Sequence, residues 1–259
     1  MGGRYAVEWR DAMRHPPVMA HHGPSPPEPP PPEPPPPEPP PPEPGPPEPW
    51  PLRHLVLRTP RLELRPDDDA GLLELAAVAH QGVHPRGQMP FIVPWTDADR
   101  RYLGRGTLQH FWSERAALAP DRWGLHFLVR FAGRVIGVQS LSAVDFATTR
   151  EVGTGSWMGM AHQGRGFGTE MRAAVLAFAF DQLDAGWARS GAFADNPASL
   201  RVSEKLGYRR DGTATFARRG ERAEEVRLFL ARERFVRPGW TLGLEGLGAD
   251  LKGLLGAAG

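Results

Sequence analysis

Gln163-Gly164-Arg165-Gly166-Phe167-Gly168-Thr169 lies between a strand-like and a helix-like stretch, and its reading decides the fold. Before it, Thr154-Gly155-Ser156-Trp157-Met158 is short, small and apolar, as a strand end is. After it, Met171, Val175, Phe178 and Leu183 recur at helical spacing with alanines between them. Three glycines at alternate positions leave backbone N–H groups uncovered where the helix begins. Those orphan donors and the positive end of the helix dipole make a cradle for phosphate or pyrophosphate. Other Gly-rich phosphate loops do not fit. Neither Lys205 nor Lys252 stands in a G-x-x-x-x-G-K-[ST] frame. A dinucleotide fingerprint would need a third glycine where Thr169 or Met171 stands, and an acid after the next strand, whereas Asp184 falls at the helix end. For the glycines alone, an ordinary Gly-rich turn is the competing reading.

Q-G-R-G-F-G resembles the Q/R-x-x-G-x-G/A signature with which the GNAT acyltransferase superfamily grips the pyrophosphate of coenzyme A. A second match follows in Asn196-Pro-Ala-Ser199-Leu-Arg-Val-Ser203-Glu-Lys-Leu-Gly207-Tyr208, similar to the family's N-x-x-S-x-x-x-x-x-K-L-G-[FY] helix and strand start. Asn196 is the only asparagine in the chain, and it falls on the motif position. The spelling W-x-G…Q-G-R-G…N-x-x-S…K-L-G-Y is nearest the RimJ/RimL branch, the ribosomal-protein N-terminal acetyltransferases and their relatives. Leu57-Arg-Thr-Pro-Arg-Leu-Glu-Leu-Arg65 also resembles that branch's opening strand. The likeness covers residues 52–232. It implies a mixed α/β (α+β) fold with a central, mostly antiparallel sheet flanked by helices, and acetyl-CoA as cosubstrate.

The chain has 259 residues, of which those before 52 cannot build a core. Residues 1–22 read as a disordered extension. Residues 23–51 read as a Pro/Glu-rich spacer with Glu28, Glu33, Glu38, Glu43 and Glu48 at five-residue intervals. In polyproline II such a run reaches roughly 80–90 Å, and its charges wind round every face, so it reads as a solvated spacer. Residues 52–234 form the catalytic domain, and 235–259 a strand and short helix packed on it. Cysteine is absent, which excludes disulfides, thiolate metal sites and a covalent cysteine intermediate. Residues 1–51 carry three Arg against seven acids, while the remainder carries 28 basic against 23 acidic residues. That mild basicity suits a polyanionic cosubstrate without implying nucleic acid. The longest apolar run is too short for a membrane span, and no leader is visible, so a cytoplasmic protein is expected.

Asp67, Asp68 and Asp69 precede an apolar-periodic run from Leu72 to Ala79, which predicts an N-cap and first-turn acids. His80 and His84 stand at i, i+4, a spacing that metal ligands use, but no third ligand accompanies them and no metal is expected. Pro90 to Asp97 is a Pro-bounded apolar loop, either a plug on the core edge or, by the resemblance, the acceptor-binding loop. Leu103 to Leu118 reads as a second helix, and Phe127–Leu141 as a hairpin turning at Ala132-Gly133-Arg134. Ala188–Ala194 reads as a strand, with Tyr208–Ala217 and Ala223–Ala231 as a closing hairpin.

The resemblance implies roles for further residues. Backbone N–H groups of Gln163, Gly164, Arg165, Gly166, Phe167, Gly168 and Thr169 would hold the pyrophosphate, and Arg165 would add charge. A main-chain donor among Met158, Gly159 and Met160 would polarise the thioester carbonyl. Ser203 takes the slot of the proton donor to the thiolate, with Tyr208 as fallback. Asn196 and Ser199 would contact the pantetheine, with helix capping as the competing reading of Asn196. The general base is where the pattern departs, because Gly153 stands where relatives carry Glu. Glu151, two residues earlier, and Glu225, in the last hairpin, are the candidates. An α-amine has a pKa near 8 and lysine near 10.4, so exposing a neutral lysine amine at neutral pH costs roughly 3 kcal/mol more. A weakened or water-relayed base therefore favours an α-amine or another low-pKa amine. The expected activity is transfer of an acetyl group, or a succinyl group held by an Arg or Ser, to a small-molecule amine or protein N-terminus. Homodimerisation along the last strands is a family expectation. An acyl-CoA sensor without turnover is the alternative, and Gly153 is the feature in its favour. An interaction protein organised by the Pro/Glu arm is a further rival.

Overall fold

In a computed structural model, residues 48–257 are described, and the reading of 1–22 and of most of the spacer lies outside them. The strands are β1 (Val56–Arg58), β2 (Leu62–Pro66), β3 (Arg122–Phe131), β4 (Arg134–Val144), β5 (Glu151–Met158), β6 (Trp187–Phe193), β7 (Arg209–Arg218), β8 (Glu221–Ala231) and β9 (Gly243–Glu245). The helices are α1 (Asp69–Gln81), α2 (Arg100–Ala116), α3 (Phe146–Thr149), α4 (Phe167–Gln182), α5 (Pro197–Lys205) and α6 (Ala249–Leu254). All nine strands join one sheet in the order β7-β8-β6-β5-β4-β3-β2-β1-β9. Every neighbouring pair is antiparallel except β5 and β6. This is the mostly antiparallel mixed sheet the sequence predicts.

Local chemistry explains the element ends. The opening strand divides at Pro60, and β1 and β2 pair antiparallel across that corner. Asp68 caps α1 by accepting from the Gly71 N–H at 2.7 Å, while Asp67 and Asp69 ion-pair with Arg115 of α2. The triple Asp is thus a cap and a helix–helix tie. Because α1 ends at Gln81, His84 leaves the helix and the i, i+4 ligand spacing dissolves. Its Nε2 meets Thr96 Oγ1 at 2.7 Å. Ala132 and Gly133 turn the β3–β4 hairpin with both φ angles positive, as a type I′ turn requires.

The two faces of the sheet carry different layers. On one, the nearly fully buried α4 packs Met171, Val175 and Phe178 against Leu57, Leu64 and Phe127. On the other, Leu72 and Leu75 of α1 and Phe111 of α2 cover Leu128, Val135 and Val138. The domain begins slightly before 52, since Pro51 opens a 3-10 turn and Trp50 packs on the core. The C-terminal appendix is built into the domain. β9 adds a strand beside β1, Leu251 and Leu255 of the α6 region are fully buried, and Trp123 Nε1 donates to the Leu255 carbonyl at 3.0 Å. Truncating Leu251 to Ala should therefore lower the unfolding free energy by about 2–5 kcal/mol in urea titration. An unchanged midpoint would contradict a structural role for the appendix.

Candidate functional site

The loop after β5 is pinned before it opens. Gln163 Nε2 donates to the carbonyls of Val83 (2.7 Å) and Met158 (2.9 Å), and its backbone N–H reaches the Met160 carbonyl at 3.2 Å. The Gln163 side chain and N–H are therefore spent on structure. Gly164 (φ 75°) and Gly166 (φ 82°) then adopt left-handed conformations that place the chain at the head of α4. Gly166 is the N-cap, and no side chain caps the helix. From Gly164 to Thr169 no backbone N–H has a protein acceptor among the described residues; the first bond is Glu170 N–H to the Gly166 carbonyl at 3.1 Å. Uncapped helix N-termini of this kind attract anions.

Two guanidiniums flank this row. Arg165 stacks over Phe131 and Phe167, and Arg61 stacks over Phe167 at 4.6 Å. Arg61 Nη1 also donates to the Arg165 carbonyl at 3.1 Å. Glu170 holds the corner. It is 8% exposed and accepts from Thr59 Oγ1 (2.6 Å), Arg61 N–H (3.1 Å) and Arg61 Nε (2.6 Å), tying the β1–β2 turn to the first turn of α4. Arg61 stood in the opening motif without an assigned role; its partnership with α4 is non-local and has no sequence signature. Unpaired N–H groups between two cations fit a pyrophosphate.

Next to the cradle, the parallel ladder of β5 and β6 runs through only three residue pairs, ending at Gly153 and Arg189. Beyond that the strands separate. β5 remains paired with β4 as far as Met158. The Gly159 N–H donates to the Ile136 carbonyl, so in this register the odd-numbered residues of β5 exchange hydrogen bonds with β4. The N–H groups of Ser156 and Met158 consequently point away from β4 and into the gap. Of the three expected carbonyl donors, Gly159 is spent on Ile136 and Met160 on the Gly82 carbonyl (3.0 Å), leaving Met158.

The hydroxyls are placed as follows. Ser203 is fully buried; its Oγ donates to the Ser199 carbonyl (3.1 Å) and accepts from Arg172 Nη1 (2.9 Å). Its proton is thus engaged inside α5. Tyr208 is buried with its hydroxyl 3.0 Å from Thr154 Oγ1, and burial raises its pKa. Asn196 caps α5, its Oδ1 accepting from the Ser199 N–H at 3.2 Å. Arg172, which sequence reasoning missed, is 4% exposed and also donates through Nη2 to Ser156 Oγ at 3.2 Å.

The face covered by α1 and α2 holds two adjoining cavities. One, ≈ 490 Å³, is lined by aromatic and apolar groups, among them Phe91, Trp95, Phe111 and Trp157. The Pro90–Asp97 loop contributes Phe91, Val93 and Trp95 to it. The other, ≈ 1220 Å³, is an open groove carrying Glu151, Glu225, Arg189 and Asp211. His126, Ser140 and Gly155 line both. Glu151 is bound to Arg189 Nε at 2.9 Å. Glu225 has no ion pair among the described residues; its carboxyl lies over Gly191, where an added Cβ would sit 2.6 Å from Cδ. Burial pushes its pKa above the ordinary carboxylate value. His126, also missed in the sequence, pairs through Nδ1 with Ser140 Oγ (2.8 Å), and its buried Nε2 faces Glu114 Oε2 at 3.7 Å, with no hydrogen-bond partner among the described residues. Burial lowers its pKa, so the ring is held neutral.

Residues 56–209 match the family model of the acetyltransferase (GNAT) domain. The chain belongs to that family. "Probable N-acetyltransferase YjcK" of Bacillus subtilis (strain 168) is 32% identical over 119 residues, which cover 45% of this chain and 65% of that protein. Mycobacterium smegmatis RimJ, solved in complex with CoA-disulfide, superposes with a TM-score of 0.60 at 19% identity, covering 72% of this chain and 91% of that one. A Vibrio cholerae spermidine N-acetyltransferase in complex with CoA and spermine gives 0.54 at 16% identity, covering 69% of this chain and all (100%) of that one. These two structures share the fold of this GNAT domain.

Because the folded-state pKa of Glu225 is raised, its ionisation costs stability as pH climbs from the unfolded value through the folded one. Glu225→Gln should gain stability relative to wild type as pH rises from about 3 to about 7 in urea titrations. A pH-independent difference would show that the carboxyl is solvated like any other.

Proposed function

We propose that the protein transfers an acetyl group from acetyl-CoA to a primary amine by direct attack, with both substrates bound at once. The observation that carries this reading is the presence of two sets of unpaired backbone donors among the described residues, the cradle at Gly164–Thr169 and the Met158 and Ser156 N–H groups in the gap between β5 and β6. The cradle and Arg61 and Arg165 would hold the diphosphate. The Met158 N–H would polarise the thioester carbonyl, as a preorganised oxyanion donor does. The N–H groups of Phe167, Gly168 and Thr169 and the start of α5, where Asn196 caps the Ser199 N–H, would frame the cosubstrate between them.

The amine would arrive from the α1/α2 face, through the cavity walled by Phe91, Trp95 and Trp157. That lining favours an amine carried on an apolar group, whether a small molecule or a protein N-terminus, over a polyamine with charges along its length. Glu225 would take the proton, because it is unpaired and its raised pKa brings it nearer that of an α-amine. Glu151 is the less available carboxylate, since it is tied to Arg189 in an ion pair. Two copies of the chain would pair along β7, the outer strand at the end of the sheet formed by the last hairpin.

Calorimetric titration with acetyl-CoA should show micromolar binding, lost in Gly166→Glu, whose new carboxylate enters the anion cradle from a strained position. No heat with wild type would remove the reading. In turnover assays with apolar amines, Glu225→Gln should lower kcat by about 10²–10⁴, and Glu151→Gln far less. Binding without turnover against any amine would convert the proposal into that of an acyl-CoA sensor.

A further inference from the structure

Arg172 is a cation in the wrong place for a structural role. It projects from the second turn of α4 into the core, 4% exposed, and no carboxylate pairs with it among the described residues. Its partners are two hydroxyls, Ser203 Oγ at 2.9 Å and Ser156 Oγ at 3.2 Å, and its Nε is buried with no partner among the described residues. The one titratable group its charge interacts with is the phenol of Tyr208, which burial keeps neutral. A buried, unpaired charge is costly, and a protein retains one where an anion will complete it.

The position says which anion. Ser156 belongs to the part of β5 that has left β6, and Ser203 to α5, so the guanidinium bridges the two sides of the gap from beneath. The Ser203 hydroxyl proton is committed to the Ser199 carbonyl. The Ser156 hydroxyl accepts from Arg172 and has no acceptor of its own among the described residues, so its proton is available to the gap, as is its backbone N–H.

We propose that Ser156 and Arg172 form the anion site for the sulfur leaving group, with Ser156 donating to the sulfur and Arg172 charging and positioning that hydroxyl. This rests on the acyl-CoA reading given above. In the step, the amine nitrogen bonds to the thioester carbon while the carbon–sulfur bond breaks. The electron pair leaves on sulfur as the CoA thiolate, and the ammonium proton goes to the base. Arg172 gives up no proton; its charge lowers the energy of the thiolate through a hydroxyl dipole and a low-dielectric path. Ser156 thus serves the sulfur as a hydrogen-bond donor, whereas the motif position would have Ser203 give it a proton.

The test compares CoA with desulfo-CoA, which lacks only the thiol, by calorimetry from about pH 6 to about pH 9. In wild type, the preference for CoA should rise with pH, by up to about tenfold per unit, as the bound thiol ionises below its free value. Arg172→Met and Ser156→Ala should bind desulfo-CoA as wild type does, yet show a flat CoA preference. Arg172→Met should also keep or raise the thermal midpoint of the ligand-free protein, since it removes an unpaired buried charge. A flat profile in wild type, or an unchanged pH-dependent profile in both variants, would overturn the assignment. So would a succinyl-CoA preference over acetyl-CoA that disappears in Arg172→Met, which would give the cation to an acyl carboxylate. Failure of desulfo-CoA to bind wild type would instead sink the cradle, a separate result.

Discussion

The site depends on a ladder that stops. β5 is held by β4 along almost its whole length, and β6 by β8 along all of its seven residues, but the two strands hold each other through only three pairs. The sheet is therefore two antiparallel blocks hinged by a short parallel seam. Past the seam, main-chain groups that a continuous sheet would have paired stay open. Buried backbone donors without acceptors are unfavourable, so a domain keeps them where a ligand will satisfy them. The donors at Ser156 and Met158 need no special side chain; they follow from the registers of the two blocks.

The cradle continues the same logic one loop later. α4 begins with glycine at its cap and no side-chain acceptor, which leaves its first turn open. Both of its neighbouring arginines are held by something other than an acid facing the cradle. Arg61 is anchored by Glu170 below the helix start, and Arg165 by aromatic rings. The two faces of the sheet then divide the labour. The α4 side supplies charge and hydroxyls beneath the gap, while the α1/α2 side supplies an apolar, aromatic cavity and an unpaired carboxylate. In the proposed reaction, two substrates would meet at the gap from opposite sides without competing for the same groups.

What was legible in the sequence was local. The glycines of the cradle, the Asp68 and Asn196 caps, the Ala132-Gly133 turn and the apolar spacing of α4 each express a constraint within a few residues. Their order read as mixed α/β, and the mostly antiparallel sheet was what the resemblance to the GNAT superfamily implied. What was not legible was tertiary. Ser203 reads as a helix surface residue, yet α4 covers it and Arg172 claims its hydroxyl. Arg172 itself looks like an ordinary polar position in an amphipathic repeat. His126 alternates in a strand like any outward residue, and only the folded sheet sets it beside Ser140 between two cavities. Arg61 meets α4 across more than a hundred residues of chain.

The central claim is that the open donors of the gap and the cradle form one continuous binding surface. It is tested most directly by following backbone amide resonances as CoA is added to the isotopically labelled protein. The account predicts that the amides of Ser156 and Met158 shift together with those of Gly164 to Thr169, with a single affinity, while Trp157, whose N–H faces β4, moves little. Shifts confined to the helix start, with Ser156 and Met158 unmoved, would contradict it.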